Sequence, residues 1–283
     1  MIFTHYPHPV ALQIFGLEIR WYSLAYIVAF LISLYYSPYI AKKIPNAKLS
    51  KSTVDDFFMW GVLGVILGGR LGYVLFYNFS YYVQNPVNIL ALWQGGMSFH
   101  GGAIGFISAI FLFAYKRKIN PLMLSDIMML SIPCGLMLGR IANFLNSELF
   151  GRPTGMQNYG VIFANADEQL RHPSQLYEAF AEGFIILIIM QVALYFFISH
   201  NKKAAQKKSS IKPLGWGFLT SVFLFSYAIA RTICETFRMP DEQIGFLTNS
   251  GLTMGQLLNV PVIIFSILFF IISLKKWEFF KKD

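Results

Sequence analysis

One stretch of the sequence gathers side chains that suit phosphate binding. Arg140 is followed at helical spacing by Asn143, then by Asn146 and Glu148, and Gly151 closes the stretch. A guanidinium, two amides and a carboxylate therefore fall within nine residues. The planar guanidinium of arginine can donate two parallel hydrogen bonds to a phosphate or a carboxylate. The pattern indicates either an anion-binding site or a group of caps and ion pairs that closes a helix.

A second polar group repeats every four positions later in the chain. Tyr227, Arg231 and Glu235 stack on one face if the segment is helical, because residues four apart are neighbours on a helix. Arg238 follows where this helix should end. The Arg–Glu pair is either purely structural or orients the arginine toward another ligand.

Three further residues are candidates by type and depth. His100 precedes paired glycines and is either a hydrogen-bonded structural residue or a general base, a role that histidine side chains can take near neutral pH. Tyr26 lies one turn beyond Tyr22 in an aromatic stretch typical of a membrane interface, deep enough for its hydroxyl to join the polar cluster. Arg70 lies among helix-packing glycines and needs a partner or a lipid headgroup.

The composition predicts that membrane helices position these residues. The chain is 55% hydrophobic and 13% charged, whereas soluble domains average about 25% charged residues. The net charge of +9 lies in short loops, which indicates membrane topology rather than nucleic-acid binding. Cys134 and Cys234 lie in apolar segments, so neither a disulfide framework nor a metal site is predicted.

About 20 apolar residues are needed to cross the hydrocarbon core. The N-terminal residues lack the pattern of a secretory signal, so the first apolar stretch is expected to be a retained span. We predict an all-α polytopic membrane protein with one integral-membrane domain over residues 1–283. The seven predicted spans are 21–40, 57–77, 97–115, 122–140, 176–198, 215–234 and 256–274.

Lysine and arginine are distributed differently along the chain. Lysine clusters follow the first, third, fifth and last predicted spans, and the intervening connections contain no lysine. The positive-inside rule then predicts a periplasmic N-terminus and a cytoplasmic C-terminus. Seven of the eight arginines fall in the outer half, where they either pair with acids or bind anionic lipid headgroups.

The stretch GRIANFLNSELFG, over residues 139–151, resembles the signature of the bacterial prolipoprotein diacylglyceryl transferases. Further stretches resemble the same family, occur in the family's order and extend the resemblance over nearly the whole chain. They are RWYSLAY, GGRLGYVLFYN, SFHGGAIG, HPSQLYE and RTICETFRMPDEQIG.

The resemblance implies a reaction that the residues alone do not specify. The donor is phosphatidylglycerol, and the acceptor is the lipobox cysteine thiol in the signal peptide of a preprolipoprotein. A thioether forms and glycerol-1-phosphate leaves, which is the first step of bacterial lipoprotein maturation. Expected partners are these two substrates and membrane lipids, with no cofactor and no nucleic acid. The expected location is the bacterial inner (cytoplasmic) membrane, with the active site toward the periplasm.

The implied chemistry assigns roles to the candidate residues. His100 is the candidate base that favours the thiolate, since an ordinary thiol has a pKa near 8.5. Arg140 and Arg231 would stabilise the phosphate leaving group. The predicted catalytic residues are His100, Arg140, Arg231, Tyr26, Asn143 and Glu148. The predicted phosphatidylglycerol-binding residues are Arg140, Asn143, Asn146, Gly151, Tyr227, Arg231, Glu235 and Arg70.

Two other functions use the same residues. A transporter or lipid-binding protein would hold an anionic headgroup without turnover and is expected to have a polar path to both sides. The polar intramembrane residues lie mainly near the outer face, which disfavours a pore. Another membrane enzyme acting on phospholipid, such as a headgroup transferase, is the third interpretation, and only the motif resemblance selects diacylglyceryl transfer.

Overall fold

The computed structural model describes residues 2–44, 49–206, 210–240, 245, 247–248 and 251–275. Several residues of the predicted lysine clusters, and part of the last family-like stretch, lie outside these ranges. They are Lys48, Lys207, Lys208, Asp241 to Gln243, Ile244, Lys276, Lys281 and Lys282.

The described chain is mostly helical, and this confirms the predicted multi-pass helical fold. Six helical segments are long and apolar enough to cross a membrane, and a bent pair supplies a seventh candidate. The helices are α1 (Trp21–Lys43), α2 (Lys51–Phe76), α3 (Phe79–Gln84), α4 (Phe99–Arg117), α5 (Pro121–Met128), α6 (Ile132–Leu145), α7 (Ser174–Glu178), α8 (Ile186–Ala204), α9 (Phe218–Glu235) and α10 (Met254–Lys275).

The fourth and fifth predicted spans are not simple α-helices. The fourth consists of α5 and α6, which meet at an angle of 46°. Pro133 lies in the first turn of α6, where its missing N–H is not needed. In the fifth span, a π-helical segment over Ala179–Ile185 joins α7 to α8 and makes one helical segment, Ser174–Ala204.

Among the described residues, four short strands lie outside the predicted spans, and the sequence analysis did not predict them. β1 (Ile2–His5) pairs in parallel with β4 (Gly160–Phe163). β2 (Val10–Ile14) and β3 (Leu17–Arg20) form an antiparallel hairpin that leads directly into α1. The hairpin supports the start of α1, because the amide of Trp21 bonds to the carbonyl of Pro9 at 3.2 Å.

The chain divides into two compact units. The first contains residues Met1–Ser37 and Asp126–Trp277, and the second contains Pro38–Ser125. The assignment of residues 1–283 to one domain stays a prediction.

In the second unit, glycines bring α2 and α4 into close contact. A Cβ atom added to Gly68 would lie 2.4 Å from the carbonyl oxygen of Gly101, and one on Gly105 would lie 2.0 Å from that of Gly64. No larger residue fits without moving a backbone, as expected for small-residue packing between membrane helices. This contact fixes the start of α4, where His100 lies.

In the first unit, a buried carboxylate fixes the start of α9. Asp126 accepts hydrogen bonds from the amides of Gly217 and Thr220, both at 2.8 Å, and from the hydroxyl of Thr220 at 2.7 Å. These amides are among those that a helix leaves unpaired at its N-terminus. Asp126 therefore caps the helix that carries Arg231.

Candidate active site

Two buried glutamates lie on consecutive turns of the fifth span. Glu178 ends α7 and Glu182 lies in the π-helical segment, and the side chains of both are 0% exposed. A buried carboxylate is costly unless cations or hydrogen-bond donors surround it. π-Helical turns are rare and often occur at functional sites.

Arg140 and Arg231 approach these glutamates from two other helices. Arg140, on α6, places Nε 2.9 Å from Glu178 and Nη2 3.3 Å from Glu182. Arg231, on α9, places Nη1 3.3 Å from each of the two glutamates. The structure thus brings together the two arginines that the sequence pointed to, around two acids that it did not.

Glu235 and Arg238 complete the group. Glu235 lies 2.6 Å from Nη2 of Arg231, which confirms the ion pair suggested by their four-residue spacing. Arg238 donates from Nη1 to both carboxylate oxygens of Glu178, at 3.3 and 3.4 Å. The group has three positive and three negative side chains. We call it the arginine–carboxylate cluster: Arg140, Arg231, Arg238, Glu178, Glu182 and Glu235.

The two central arginines retain donors that no described residue uses. Nη1 of Arg140 and Nε of Arg231 have no hydrogen-bond partner within the described part of the chain. Their side chains are 17% and 13% exposed. The carboxylates therefore hold both guanidinium groups in place and leave one nitrogen donor on each that no described residue uses.

A second hydrogen-bond network joins α1 to the end of α6. The hydroxyl of Tyr22 donates to Oε2 of Glu148 at 2.7 Å, and Nδ2 of Asn143 donates to the same hydroxyl oxygen. Tyr26, the tyrosine selected from the sequence, is 59% exposed and its ring packs 6.3 Å from that of Phe30. The hydroxyl that joins Asn143 and Glu148 is thus that of Tyr22, and the role predicted for Tyr26 stays untested.

The segment after α6 is held by short contacts within itself and with α7. The amide of Glu148 bonds to the carbonyl of Asn143 at 2.9 Å, and Nε2 of Gln175 donates to the carbonyl of Glu148 at 2.7 Å. Asn146 is buried, and its Oδ1 has no hydrogen-bond partner among the described residues. A buried amide oxygen of this kind is suited to accept a bond from a substrate hydroxyl.

Gly151 lies where three segments of backbone meet. Its amide donates to the carbonyl of His172 at 2.9 Å, and its carbonyl accepts from Nη1 of Arg171 at 3.1 Å. An added Cβ would lie 2.4 Å from the carbonyl oxygen of His172 and 2.7 Å from that of Phe237. Only glycine allows this approach. The structure gives Gly151 a packing role, and its predicted contact with the substrate stays untested.

Two arginines with no role assigned from the sequence have structural partners. Arg152 donates to the carbonyls of Arg238 and Glu235, at 2.9 and 3.1 Å, and so satisfies carbonyls at the C-terminal end of α9. Arg171 forms a bidentate pair with Asp167, at 2.9 and 2.6 Å, and this bond holds the pKa of the Asp167 carboxyl below its usual range.

Arg70 lies in the other unit and is surrounded by backbone carbonyls. Its three side-chain nitrogens donate five hydrogen bonds, the full capacity of a guanidinium. The ring of Tyr82 lies 5.1 Å from the guanidinium carbon. Arg70 therefore organises the segment between α2 and α4, and headgroup binding by it stays a prediction. The five acceptors are the carbonyls of Asn88, Ile89, Ala91, Gly95 and Gly96.

His100 and Tyr227 keep their predicted places on helices. His100 is the second residue of α4, is exposed, and packs edge-on against Phe99 with ring centroids 5.7 Å apart. Tyr227 lies one turn before Arg231 on α9, and its ring stacks on that of Phe223 at 6.1 Å. Their roles as base and headgroup ligand remain predictions.

Sequence reasoning missed Tyr22, Glu178 and Glu182 as members of the site. Glu178 ends one of the stretches that carry the family resemblance, but no role was assigned to it. A signal was present, since two glutamates four residues apart in an otherwise apolar span require partners.

Comparison with known proteins gives a family for the chain. Residues 9–272 match the family model described as prolipoprotein diacylglyceryl transferase. Among relatives named phosphatidylglycerol–prolipoprotein diacylglyceryl transferase, that of Azospirillum brasilense is 44% identical over 92% of this chain and 91% of its own length. Those of Rickettsia felis and Rickettsia canadensis are both 46% identical, over 91% and 93% of this chain and 93% and 95% of their own. The chain belongs to the prolipoprotein diacylglyceryl transferase family.

Proposed function

We propose that this membrane protein transfers the diacylglyceryl group of phosphatidylglycerol to the cysteine thiol of a prolipoprotein. The relatives' names supply the two substrates. The observation that carries the proposal for the site is the arrangement of Arg140 and Arg231, which share two buried glutamates and keep unused donors. We place this site at the periplasmic face of the inner membrane, where the arginine-rich ends of the spans are predicted.

The reaction exchanges a carbon–oxygen bond for a carbon–sulfur bond. The thiolate attacks the glyceryl carbon that carries the phosphate, and a thioether forms. The bonding electrons of the broken C–O bond stay on the phosphate oxygen, so that glycerol-1-phosphate leaves with an added negative charge. The thiol proton passes to a base, for which His100 is the candidate, and from there to the phosphate or to water.

The arginines act on the charge that develops at the leaving group. Electrostatic stabilisation works best when the donors are already oriented before reaction, because no reorganisation is then needed. Glu178 and Glu235 hold the guanidinium groups of Arg140 and Arg231 at 2.9 and 2.6 Å. The unused donors, Nη1 of Arg140 and Nε of Arg231, are the groups we assign to the phosphate.

The network next to the cluster would hold the glycerol headgroup. Tyr22, Asn143 and Glu148 present a hydroxyl, an amide and a carboxylate on one hydrogen-bonded chain. The unpaired Oδ1 of Asn146 offers a further acceptor. These groups match the hydroxyls of a glycerol headgroup, which both donate and accept hydrogen bonds.

The test uses the purified protein in detergent with phosphatidylglycerol and a lipobox peptide. Peptide mass and released glycerol-1-phosphate are followed together, with a peptide carrying Cys→Ser as the control. We expect a diacylglyceryl mass gain on the cysteine peptide alone, with an equal amount of glycerol-1-phosphate. Binding of phosphatidylglycerol without product, under conditions where a relative turns over, would instead indicate a lipid-binding or transport protein.

A further inference from the structure

Glu182 differs from the other two glutamates of the cluster in the lengths of its contacts. Each central arginine makes one short ion pair, Arg140 to Glu178 at 2.9 Å and Arg231 to Glu235 at 2.6 Å. Each also contacts Glu182, in both cases at 3.3 Å. Charge-assisted hydrogen bonds between nitrogen and oxygen are usually about 2.7–2.9 Å long. Glu178 also lies 3.3 Å from Arg231, but Glu178 and Glu235 each make one short ion pair, and Glu182 makes none.

We propose that Glu182 competes with phosphate for Arg140 and Arg231 and so limits the affinity of the site for glycerol-1-phosphate. This inference rests on the proposed function, which makes that phosphate ester the product. When the phosphate binds to the two unused donors, its remaining oxygens also replace Glu182 at Nη2 of Arg140 and Nη1 of Arg231. Glu178 and Glu235 continue to hold the arginines through their short ion pairs. When the product leaves, Glu182 restores these contacts.

The charge of the cluster explains why such a competitor is needed. The three arginines and three glutamates balance, and the glutamates are almost fully buried. Without one glutamate, the buried group would carry an excess positive charge in a medium where electrostatic interactions are strong. A phosphate monoester bound there would be released slowly, and product release would then limit the rate of turnover.

The position of Glu182 in the fold fits this role. It lies in the π-helical segment, and the next residue, Gly183, lets α6 approach closely. A Cβ on Gly183 would lie 2.5 Å from the Cβ of Met137. Met137 and Arg140 are neighbours on one face of α6, since they are three residues apart. This close contact brings Arg140 within reach of Glu182.

Glu178 has additional structural contacts and is not the competitor. It also pairs with Arg238, in the segment that follows α9. Removal of Glu178 would leave the cation of Arg238 without this buried carboxylate, which is strongly destabilising. Glu182 forms ion pairs only with Arg140 and Arg231 in the part of the chain that the structure describes, so its substitution removes ion pairs from these two arginines and leaves that of Arg238 with Glu178 in place.

The test compares Glu182→Gln with Glu168→Gln, which makes the same change of charge at an exposed acid in an outer loop. Binding of labelled glycerol-1-phosphate to the purified protein is measured directly, without turnover. We expect Glu182→Gln to lower the Kd by about tenfold, which corresponds to about 1.4 kcal/mol. Glu168→Gln should leave it unchanged. An unchanged Kd in folded Glu182→Gln, or an equal decrease in both variants, would overturn the inference.

Kinetics provide a signature that a purely structural role would not produce. If product release becomes slow, Glu182→Gln should show a rapid first turnover followed by a lower steady-state rate. A loss of folded protein would lower both phases by the same factor. Equal reduction of both phases, with a wild-type Kd for glycerol-1-phosphate, would count against the inference.

Glu182→Asp keeps the charge but shortens the side chain, and it decides the question if the glutamine variant does not fold. A shorter carboxylate competes less well for both arginines, so the Kd should fall by about threefold, less than for glutamine. An unchanged or higher Kd would contradict the inference. If the wild-type protein did not transfer diacylglyceryl groups, the proposed function would be wrong. Competition between Glu182 and phosphate would still be supported if the Kd for glycerol-1-phosphate decreased from wild type to Glu182→Asp and again to Glu182→Gln.

Discussion

Arg231 and Glu182 are 49 residues apart in the sequence, and Nη1 of the arginine lies 3.3 Å from Oε1 of the glutamate. The two residues lie on different membrane helices, and Arg140 contacts the same glutamate from a third. Helices packed in this way hold the two cations in fixed positions, as our proposal for phosphate binding requires. The predictions below follow from this arrangement and from the segments that support it.

The hydrogen-bond network at the start of α1 predicts that the hydroxyl of Tyr22 contributes more to kcat/KM than the hydroxyl of Tyr26. Tyr22→Phe removes the hydroxyl that bonds to Asn143 and Glu148 and should lower kcat/KM for phosphatidylglycerol by about tenfold or more. Tyr26→Phe removes a hydroxyl from a largely exposed side chain and should have a smaller effect. Initial transfer rates at several lipid concentrations measure this difference, and a larger loss for Tyr26→Phe would contradict the geometry.

These tyrosines show where sequence reasoning reached its limit. Hydropathy located the six long apolar helices and the bent pair that is the seventh candidate, because a 20-residue apolar run has few alternatives to crossing a membrane. The choice between Tyr22 and Tyr26 depended on the orientation of α1 relative to α6, which no local pattern contains. Periodicity along one helix correctly paired Arg231 with Glu235. Glu182 was missed because its partners come from two other helices.

Local sequence patterns also did not predict the 46° bend between α5 and α6 or the structure of the segment between α2 and α4. A proline near the break in the fourth span was visible, but the angle depends on packing against neighbouring helices. The sequence suggested that Arg70 needs a partner. Its partners are backbone carbonyls, which every residue carries, so residue types could not identify them.

The close backbone contacts of Gly151 predict that a larger residue at this position destabilises the fold. Gly151→Ala would force a methyl group against the carbonyls of His172 and Phe237, at 2.4 and 2.7 Å, and should lower both stability and transfer. We expect a loss of about 1–3 kcal/mol, as is usual for overpacking. Gly139→Ala is the matched control, because a Cβ there has no heavy atom within 4 Å. Thermal unfolding in detergent compares the two, and equal melting temperatures would contradict the assigned role.

The five hydrogen bonds of Arg70 predict that its substitution increases local opening of the segment between α2 and α4. Lysine keeps the charge of Arg70 but offers three donors in place of five, so Arg70→Lys should loosen the segment between α2 and α4. Hydrogen exchange of residues 85–96 should increase by about tenfold or more. Arg117→Lys, which alters an exposed pair with Asp56, serves as the control. Unchanged exchange in Arg70→Lys would show that the five bonds do not stabilise the segment.

Asp167 and Arg171 predict a small pH-dependent contribution to stability. The pKa of Asp167 is lower in the folded protein than its ordinary value of about 3.9, so the pair stabilises the fold above that pH. The contribution is lost as the pH falls through the lowered pKa. Asp167→Asn should therefore reduce the melting temperature slightly at pH 7, and the difference should shrink as the pH approaches 3. A difference that grows on acidification would have the wrong sign.

The central claim is that Arg140 and Arg231 stabilise the phosphate leaving group during diacylglyceryl transfer. The most direct test measures transfer to the lipobox peptide by Arg140→Lys and Arg231→Lys, which keep the charge balance with the glutamates, beside Arg117→Lys as the control. Loss of a fixed donor to developing charge usually costs about 10²–10³ in kcat, so we predict losses of this order in both variants and none in the control. Near wild-type rates in both folded variants would contradict the account.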